Sequence, residues 1–248
     1  MGDKQQWVAG VHAVRSALKF GRERINEILY DATRKDRRLN AVLDDAKKLG
    51  IPLTASDKKT VEKLAGSANH QGVVISTQAP AAQTEDDLDT LLNNLDHPPL
   101  LLVLDGVTDP HNLGACLRTA DGAGVDAVIA PKDKSVGLTP VVVKVSSGAA
   151  ETVPFVQVTN LARTLRHLQD DFRIFVVGTT GETDLELYQA DLTGALALVM
   201  GAEGEGMRRL TAEQCDQLVR LPMQGQVESL NVSVATGVTL YEAVRQRR

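Results

Sequence analysis

Three stretches of this 248-residue sequence gather side chains that could do chemistry where a strand gives way to a loop. The first runs from Asp105 through Asp109-Pro110-His111-Asn112-Leu113-Gly114 to Arg118 and Ala120. It places an amide, Asn112, near a helix start and a guanidinium, Arg118, on the second turn. Cys116, Leu117 and Ala120 around the arginine are small or apolar and offer it no charged neighbour. Alone, Asn112 reads equally well as a helix cap and Arg118 as an exposed helix arginine. The second stretch is Gly201-Ala202-Glu203-Gly204-Glu205-Gly206. Three glycines after a strand let backbone approach a ligand closely. Their spacing is not G-x-G-x-x-G and no Lys-Ser/Thr follows, so it matches neither a dinucleotide fingerprint nor a phosphate-binding P-loop. Glu203 and Glu205 would repel a phosphate, and a cationic or hydroxyl-rich ligand suits the loop better. The third is Leu221-Pro222, then Ser229-Leu230-Asn231-Val232-Ser233, where polar side chains open a helix. Taken singly, Ser229 and Asn231 are plain N-caps and the glycine run is a surface turn.

The elements that must position these residues alternate strand and helix. Leu100 to Leu104 is an unbroken apolar run, as expected of a strand buried on both faces. A helix follows across Leu113 to Ala123, then a strand at Ala127 to Ala130. Leu161, Leu165 and Leu168 mark a helix capped by Thr159 or Asn160. Further strands are expected at Arg173 to Val177, Ala195 to Met200 and Gln217 to Leu221, and a last helix carries Val234, Val238 and Tyr241. This alternation predicts a mostly parallel sheet covered on both faces, with ligands at the carboxyl ends of its strands. The earlier part of the chain reads as a small α/β sandwich. It has strands at Ile25 to Tyr30, Ile51 to Leu53 and Gly72 to Ser76. Its helices are one carrying Leu39, Val42, Leu43 and Ala46, stopped by Gly50, and one capped by Ser56 or Asp57.

Composition sets the outer limits. The chain is 43% hydrophobic, 24% charged and 3% aromatic, with a mean hydropathy of -0.12, which predicts a soluble globular protein. No apolar run is long enough for a bilayer span. The start, Met1 to Gln6, lacks an apolar signal core, and two cysteines build no disulfide framework, so a cytoplasmic chain is expected. Five scattered histidines show no zinc spacing, and no metal site is expected. The net charge of -5 argues at first against a polyanion partner. It is unevenly spread, with 14 Lys+Arg against 9 Asp+Glu over 1–80, five acids and no base over 81–97, and 13 against 18 over 98–248. The acidic, proline-flanked stretch 81–97 reads as a linker with a short helix through Leu88, Leu91 and Leu92. The expected organisation is therefore a basic domain over 1–80, that linker, and a second domain over 98–248. Arg34-Lys35-Asp36-Arg37-Arg38 reads either as a solvated helix start or as a phosphate-contacting edge. With so few aromatics, base stacking cannot be the main grip.

In order and spacing, the three stretches resemble the SpoU (TrmH-like) class of RNA ribose 2′-O-methyltransferases, in the SPOUT superfamily. The resemblance covers the whole chain. Gly10-Val11-His12-Ala13-Val14, Asn69-His70-Gln71-Gly72 and the stretch from Leu104 to Ala120 look most like members that modify a guanosine of 23S rRNA in the peptidyl-transferase P loop. Ala202 departs from the asparagine of many relatives. The resemblance implies a ribosomal-protein-like (L30e-like) RNA substrate-binding domain, then a catalytic domain whose carboxyl end threads a deep trefoil knot. It implies S-adenosyl-L-methionine as cofactor, held mainly by backbone at Gly201, Leu221 and Leu230. It implies a homodimer acting on 23S rRNA, with Arg118, Asn112, Glu203, Ser229 and Asn231 as the catalytic set. Arg118 would take the hydroxyl proton, or hold a phosphate and stabilise the forming alkoxide. Asn112 would orient Arg118 or the ribose, Glu203 would fix the Arg118 side of the pocket, and Ser229 and Asn231 would shape the cofactor and ribose sites. The competing readings are a tRNA methyltransferase of the same class, a non-catalytic rRNA-binding factor and a nucleotide-dependent oxidoreductase.

Overall fold

The structure, a computed structural model, describes residues 5–66, 69–78, 80–202, 204 and 206–248. They form two units, one from Met1–Ala81 with Leu138–Thr152 and one from Ala82–Gly137 with Val153–Arg248.

In the first unit, strands β1 (Gln5–Ala9), β2 (Ile25–Asp31), β3 (Leu53–Ser56) and β4 (Val73–Gln78) alternate with helices α1 (Val11–Phe20), α2 (Arg37–Lys48) and α3 (Lys58–Ala65). The sheet order is β1-β4-β2-β3, with β4 antiparallel to β1 and β2, and β3 parallel to β2. Strand side chains alternate between faces. Ile28, Val73 and Ile75 therefore meet α1 and α2 on one face, while Leu29 and Val74 meet Val61 of α3 on the other. Asp36 caps α2 by accepting from the N–H groups of Arg38 and Leu39, and Asp57, not Ser56, caps α3. β1 and α1 lack a strong local signature and are not among the elements expected from sequence.

The second unit follows with α4 (Glu85–Asn94), β5 (Leu100–Asp105), α5 (Pro110–Ala123) and β6 (Ala127–Pro131). The next two helices, α6 (Pro140–Val145) and α7 (Ala149–Thr152), fold with the first unit. There Glu151 pairs with Arg24, and a Cβ on Gly148 would lie 2.5 Å from Ser16 Oγ. The expected boundary, with all of 98–248 in one domain, is corrected at this insertion, whose partners are more than a hundred residues away. The chain returns to the second unit as β7 (Phe155–Val158), α8 (Leu161–Phe172), β8 (Phe175–Thr179), β9 (Leu196–Gly201), α9 (Arg209–Ala212), β10 (Gln217–Val219) and α10 (Val232–Gln246).

All six strands of this unit are parallel, in the order β10-β8-β9-β5-β6-β7. Leu101, Val103, Ile129 and Val199 form a core with Leu161, Leu165 and Leu168 of α8 and Leu88 and Leu92 of α4. α10 packs against β9 and α5, with Cys116 Sγ 3.5 Å from Thr236 Oγ1. The expected acidic linker is corrected here too, because its apolar helical stripe is buried. Its acids also have partners. Glu85 accepts from Thr159 N–H at 3.0 Å and pairs with Arg163 at 3.0 Å, and Asp89 meets His167 at 2.8 Å. Among the described residues no helix is long and apolar enough to cross a membrane. From β5 the chain runs outward to β6 and β7, and β9, β8 and β10 lie on the other side. β5 and β9 are therefore neighbours where the order reverses, which is where parallel sheets open a crevice.

Candidate active site

The crevice is made by the loops after β8, β9 and β10. Asp105 at the end of β5 pairs in register with Gly201 at the end of β9. Beyond Gly201 the loop folds back on itself, as Ala202 N–H donates to Gly206 O and Gly206 N–H to Ala202 O, both at 3.0 Å. A Cβ on Gly201 would lie 2.3 Å from Gly206 C and 2.4 Å from Met207 N, so only glycine fits. The loop is tied back to β5 by a buried carboxylate. Asp105 Oδ2 accepts from Arg208 N–H at 2.8 Å, and Oδ1 lies 3.4 Å from Arg208 Nε. This tie was not among the sequence-derived site residues, because its members stand 103 positions apart.

A cavity of about 930 Å³ lies over these strand ends, lined by Gly201, Gly204, Leu221, Ser229 and Leu230, with Thr179 to Glu182 from the loop after β8. All three residues expected to hold a cofactor therefore share one cavity, and Ser229 joins them. The β8 loop was missed, although its polar Thr179-Thr180-Gly181-Glu182 run follows a buried strand at the same sheet end. The volume is within the range of small-molecule sites. Glu182, Glu213 and Glu228 on its walls outnumber Arg209, a balance that favours a cationic ligand. Glu203, with Glu205 beside it, lies outside the described residues.

Asn112 is not the cap of α5. Asp109 caps it, accepting from His111 N–H at 2.8 Å, and Pro110 occupies the first turn. Asn112 is instead buried inside the helix, 9% exposed, where its Oδ1 accepts from Asn231 Nδ2 at 3.0 Å. Asn231 also caps α10, its Oδ1 accepting from Ser233 N–H at 2.9 Å. One hydrogen bond thus joins the first and third stretches. Arg118 is exposed on α5, and no described residue hydrogen-bonds or ion-pairs with it. Asn112, Asn231 and Arg118 do not line the cavity itself.

Two further features bear on the chemistry. Burial pushes the Cys116 thiol up to about 11 and the Cys215 thiol to about 12, so neither is a ready thiolate nucleophile. Among the described residues no group of three or more His, Cys, Asp or Glu is placed to hold a metal ion. On α10, Val234 and Tyr241 are each 52% exposed, and the helix buries Val232, Thr236, Thr239, Leu240 and Ala243. Of the three apolar residues by which the sequence marks this helix, Val234 and Tyr241 therefore face outward and Val238 is half-buried.

Comparison with known proteins gives a consistent set of likenesses. The profile of the "SpoU rRNA Methylase family" matches residues 99–241, and that of "RNA 2'-O ribose methyltransferase substrate binding" matches residues 7–83. The 23S rRNA (guanosine-2'-O-)-methyltransferase RlmB of Shewanella oneidensis is 57% identical over 245 residues, covering 99% of both chains. The protein of the same name from Haemophilus influenzae is 58% identical over 240 residues, covering 97% of both. The crystal structure of the SpoU methyltransferase AviRb from Streptomyces viridochromogenes in complex with AdoMet superposes with a TM-score of 0.80. That likeness is at 26% identity and covers 98% of this chain and 90% of that one.

Proposed function

The chain belongs to the SpoU rRNA methylase family, and on that premise we propose that it methylates the ribose 2′-hydroxyl of a guanosine in the peptidyl-transferase P loop of 23S rRNA, using S-adenosyl-L-methionine. The observation that carries this reading is the single cavity gathering Gly201, Leu221, Ser229 and Leu230 at the strand-order reversal. Its carboxylate-rich wall suits a cofactor bearing a sulfonium and an ammonium. Gly204, at positive φ with nothing near the place a Cβ would occupy, leaves backbone open toward the cavity.

When bound, S-adenosylmethionine supplies an electrophilic methyl group whose carbon–sulfur bond breaks with the electron pair staying on sulfur. The chain's part is placement and charge. Leu221 and Leu230 flank the cofactor, and Ser229 orients it or the ribose. The bond between Asn112 and Asn231 fixes α5 against the start of α10 and so holds Arg118 in one place. Arg118, exposed and without a described partner, acts by holding a substrate phosphate and stabilising charge on the 2′-oxygen, while the hydroxyl proton leaves to water. Glu203 keeps the role that the family resemblance implies, acting toward Arg118. In-line placement supplies most of the rate.

The reading extends to the whole molecule. Residues 201–207 and 221–231 are taken as the loops of a deep trefoil knot, and the first unit as an L30e-like RNA-binding domain. The outward stripe of Val234 and Tyr241 on α10 suits a homodimer contact. The protein would work in the cytoplasm. The test is transfer of tritiated methyl from S-adenosylmethionine to purified 23S rRNA and to tRNA, followed by mapping of the modified ribose. Label at one guanosine of the P loop is expected. Label in tRNA alone overturns the substrate, and absence of cofactor binding in calorimetry overturns the enzyme reading.

A further inference from the structure

Two consecutive arginines leave the glycine loop of the second unit on different sides. Arg209 lines the cavity and pairs with Glu213 at 2.5 Å. Arg208 is not part of the cavity wall. Its Nη2 donates instead to Asp133 O at 3.3 Å, in the loop that follows β6. The loops after β5, β6 and β9 converge at this point. A Cβ on Gly106, which stands at φ +88, would lie 3.5 Å from Ala202 Cβ, 3.9 Å from Arg208 Nη2 and 4.0 Å from Lys134 O. Ser135 Oγ and Val136 N–H both donate to Val107 O, at 3.2 and 3.0 Å, which ties the β6 loop to the β5 loop. Ala202 also lines the cavity, so the cavity and this cluster share a wall.

The Arg208 guanidinium is held in one pose. Asp105 Oδ1 is buried, has no hydrogen-bond partner, and lies 3.4 Å from Arg208 Nε. Among the described residues no other cation pairs with Asp105. Swinging the arginine away would leave a bare carboxylate in the interior, which is costly. The outer edge of the guanidinium is open, because Nη1 makes no hydrogen bond among the described residues and the side chain is 43% exposed. Lys132 and Lys134 flank Asp133, and both are exposed and without an ion pair among the described residues. The balance is three cations against Asp105 and Asp133, and Asp105 is sealed from solvent. A fixed planar guanidinium with a free edge, beside two lysines, suits a phosphodiester.

We propose that Arg208, with Lys132 and Lys134, forms a phosphate site on the second unit that grips the backbone of the substrate RNA next to the nucleotide being methylated. The inference rests on the rRNA reading above. Its test measures binding of the full chain to a hairpin RNA that carries the P loop, across a salt series. Arg208→Gln is placed in an Asp105→Asn background, so that no buried charge is stranded. Relative to Asp105→Asn alone, it lowers hairpin affinity about five- to tenfold at low salt, and the slope of log Kd against log salt falls by about one. Lys132→Gln/Lys134→Gln, which leaves the glycine loop untouched, lowers the slope by about one to two. Arg166→Gln on α8, whose Nε donates to Gln214, leaves affinity and slope unchanged. Calorimetry gives each variant the S-adenosylmethionine affinity of its parent. Hairpins in which single phosphates beside the target guanosine are replaced by neutral methylphosphonate locate the contact. One position weakens binding by the parent and leaves the Arg208→Gln protein unaffected. An unchanged slope in either set of variants overturns the site, as does methylphosphonate weakening that is the same with and without Arg208 at every position. An Arg208-dependent effect confined to inorganic phosphate overturns the RNA assignment. Arg208-dependent hairpin binding without any methyl transfer by the wild-type protein overturns the functional reading instead and leaves the phosphate site standing.

Discussion

Asn231 Nδ2 donates to Asn112 Oδ1 at 3.0 Å, joining two helices whose partner residues stand 119 positions apart. The bond lies beside the cavity and sets where α5, and hence Arg118, stands relative to the segment 221–231. If it positions the reacting groups, Asn112→Ala and Asn231→Ala each lower kcat by about ten- to a hundredfold, with a stability loss of about 1 kcal/mol. The double variant then loses little more than either single. Full additivity of the two kcat effects in a double-mutant cycle would show that the residues act separately.

Arg118 has no described partner, so its side chain can be changed without stranding a buried charge. Arg118→Ala is expected to lower kcat/KM by about 10²- to 10³-fold with cofactor affinity in calorimetry unchanged. Arg118→Lys restores only part of the rate, because a point charge does not reproduce the planar fork. The pH–rate profile of the lysine variant separates the two roles. A profile displaced with the substitution would make residue 118 the proton acceptor and not a charge stabiliser.

Two glycines of the same loop should behave differently. At Gly201 an added Cβ runs into the backbone of Gly206 and Met207, which cannot move aside without opening the loop. Gly201→Ala should therefore abolish measurable S-adenosylmethionine binding. At Gly204 nothing lies within 4 Å, and the only obstacle is its φ of +80. Gly204→Ala should cost about 1 kcal/mol in stability and weaken the cofactor modestly. Equal affinities in the two variants would remove the loop from the cofactor site.

His167 lies between two carboxylates, with Asp89 2.8 Å from Nε2 and Asp171 2.6 Å from Nδ1. The Asp89 hydrogen bond, aided by that of Asp171, raises its pKa above the ordinary 6.5. A raised folded-state value means that the stabilisation is fully present below the unfolded value and is lost as pH rises through the folded one. The melting-temperature gap between wild type and His167→Gln should therefore be widest below pH 6.5 and narrow above it. A gap independent of pH would show that the imidazolium does not hold α4 to α8.

Much of the second unit was legible in the order of residues. The Leu100 to Leu104 run, the leucine spacing of α8 and the glycine loop after β9 each carry a local signal that survives folding unchanged. The candidate site was legible through residue types at strand ends, and Gly201, Leu221, Ser229 and Leu230 do meet in one cavity. The stretch 81–97 was weighed by its charge, although the spacing of Leu88, Leu91 and Leu92 already encoded a buried face. Residues 138–152 gave no warning of their partner, since Glu151 and Arg24 are far apart in the chain and meet only in the folded structure.

By itself, the sequence determined most of the strands and the longer helices, though not β1, α1, α6, α7 or α9, and which polar side chains cluster at strand ends. Those properties depend on steric and hydrophobic preferences within a few residues. Only the tertiary structure decided that Asn112 is a buried partner of Asn231 and not a cap, that Asp105 anchors the glycine loop through Arg208, and that Val234 and Tyr241 face outward. Each depends on which distant segment lies alongside, and that choice is made by burying whole faces together, a contest that no local pattern records.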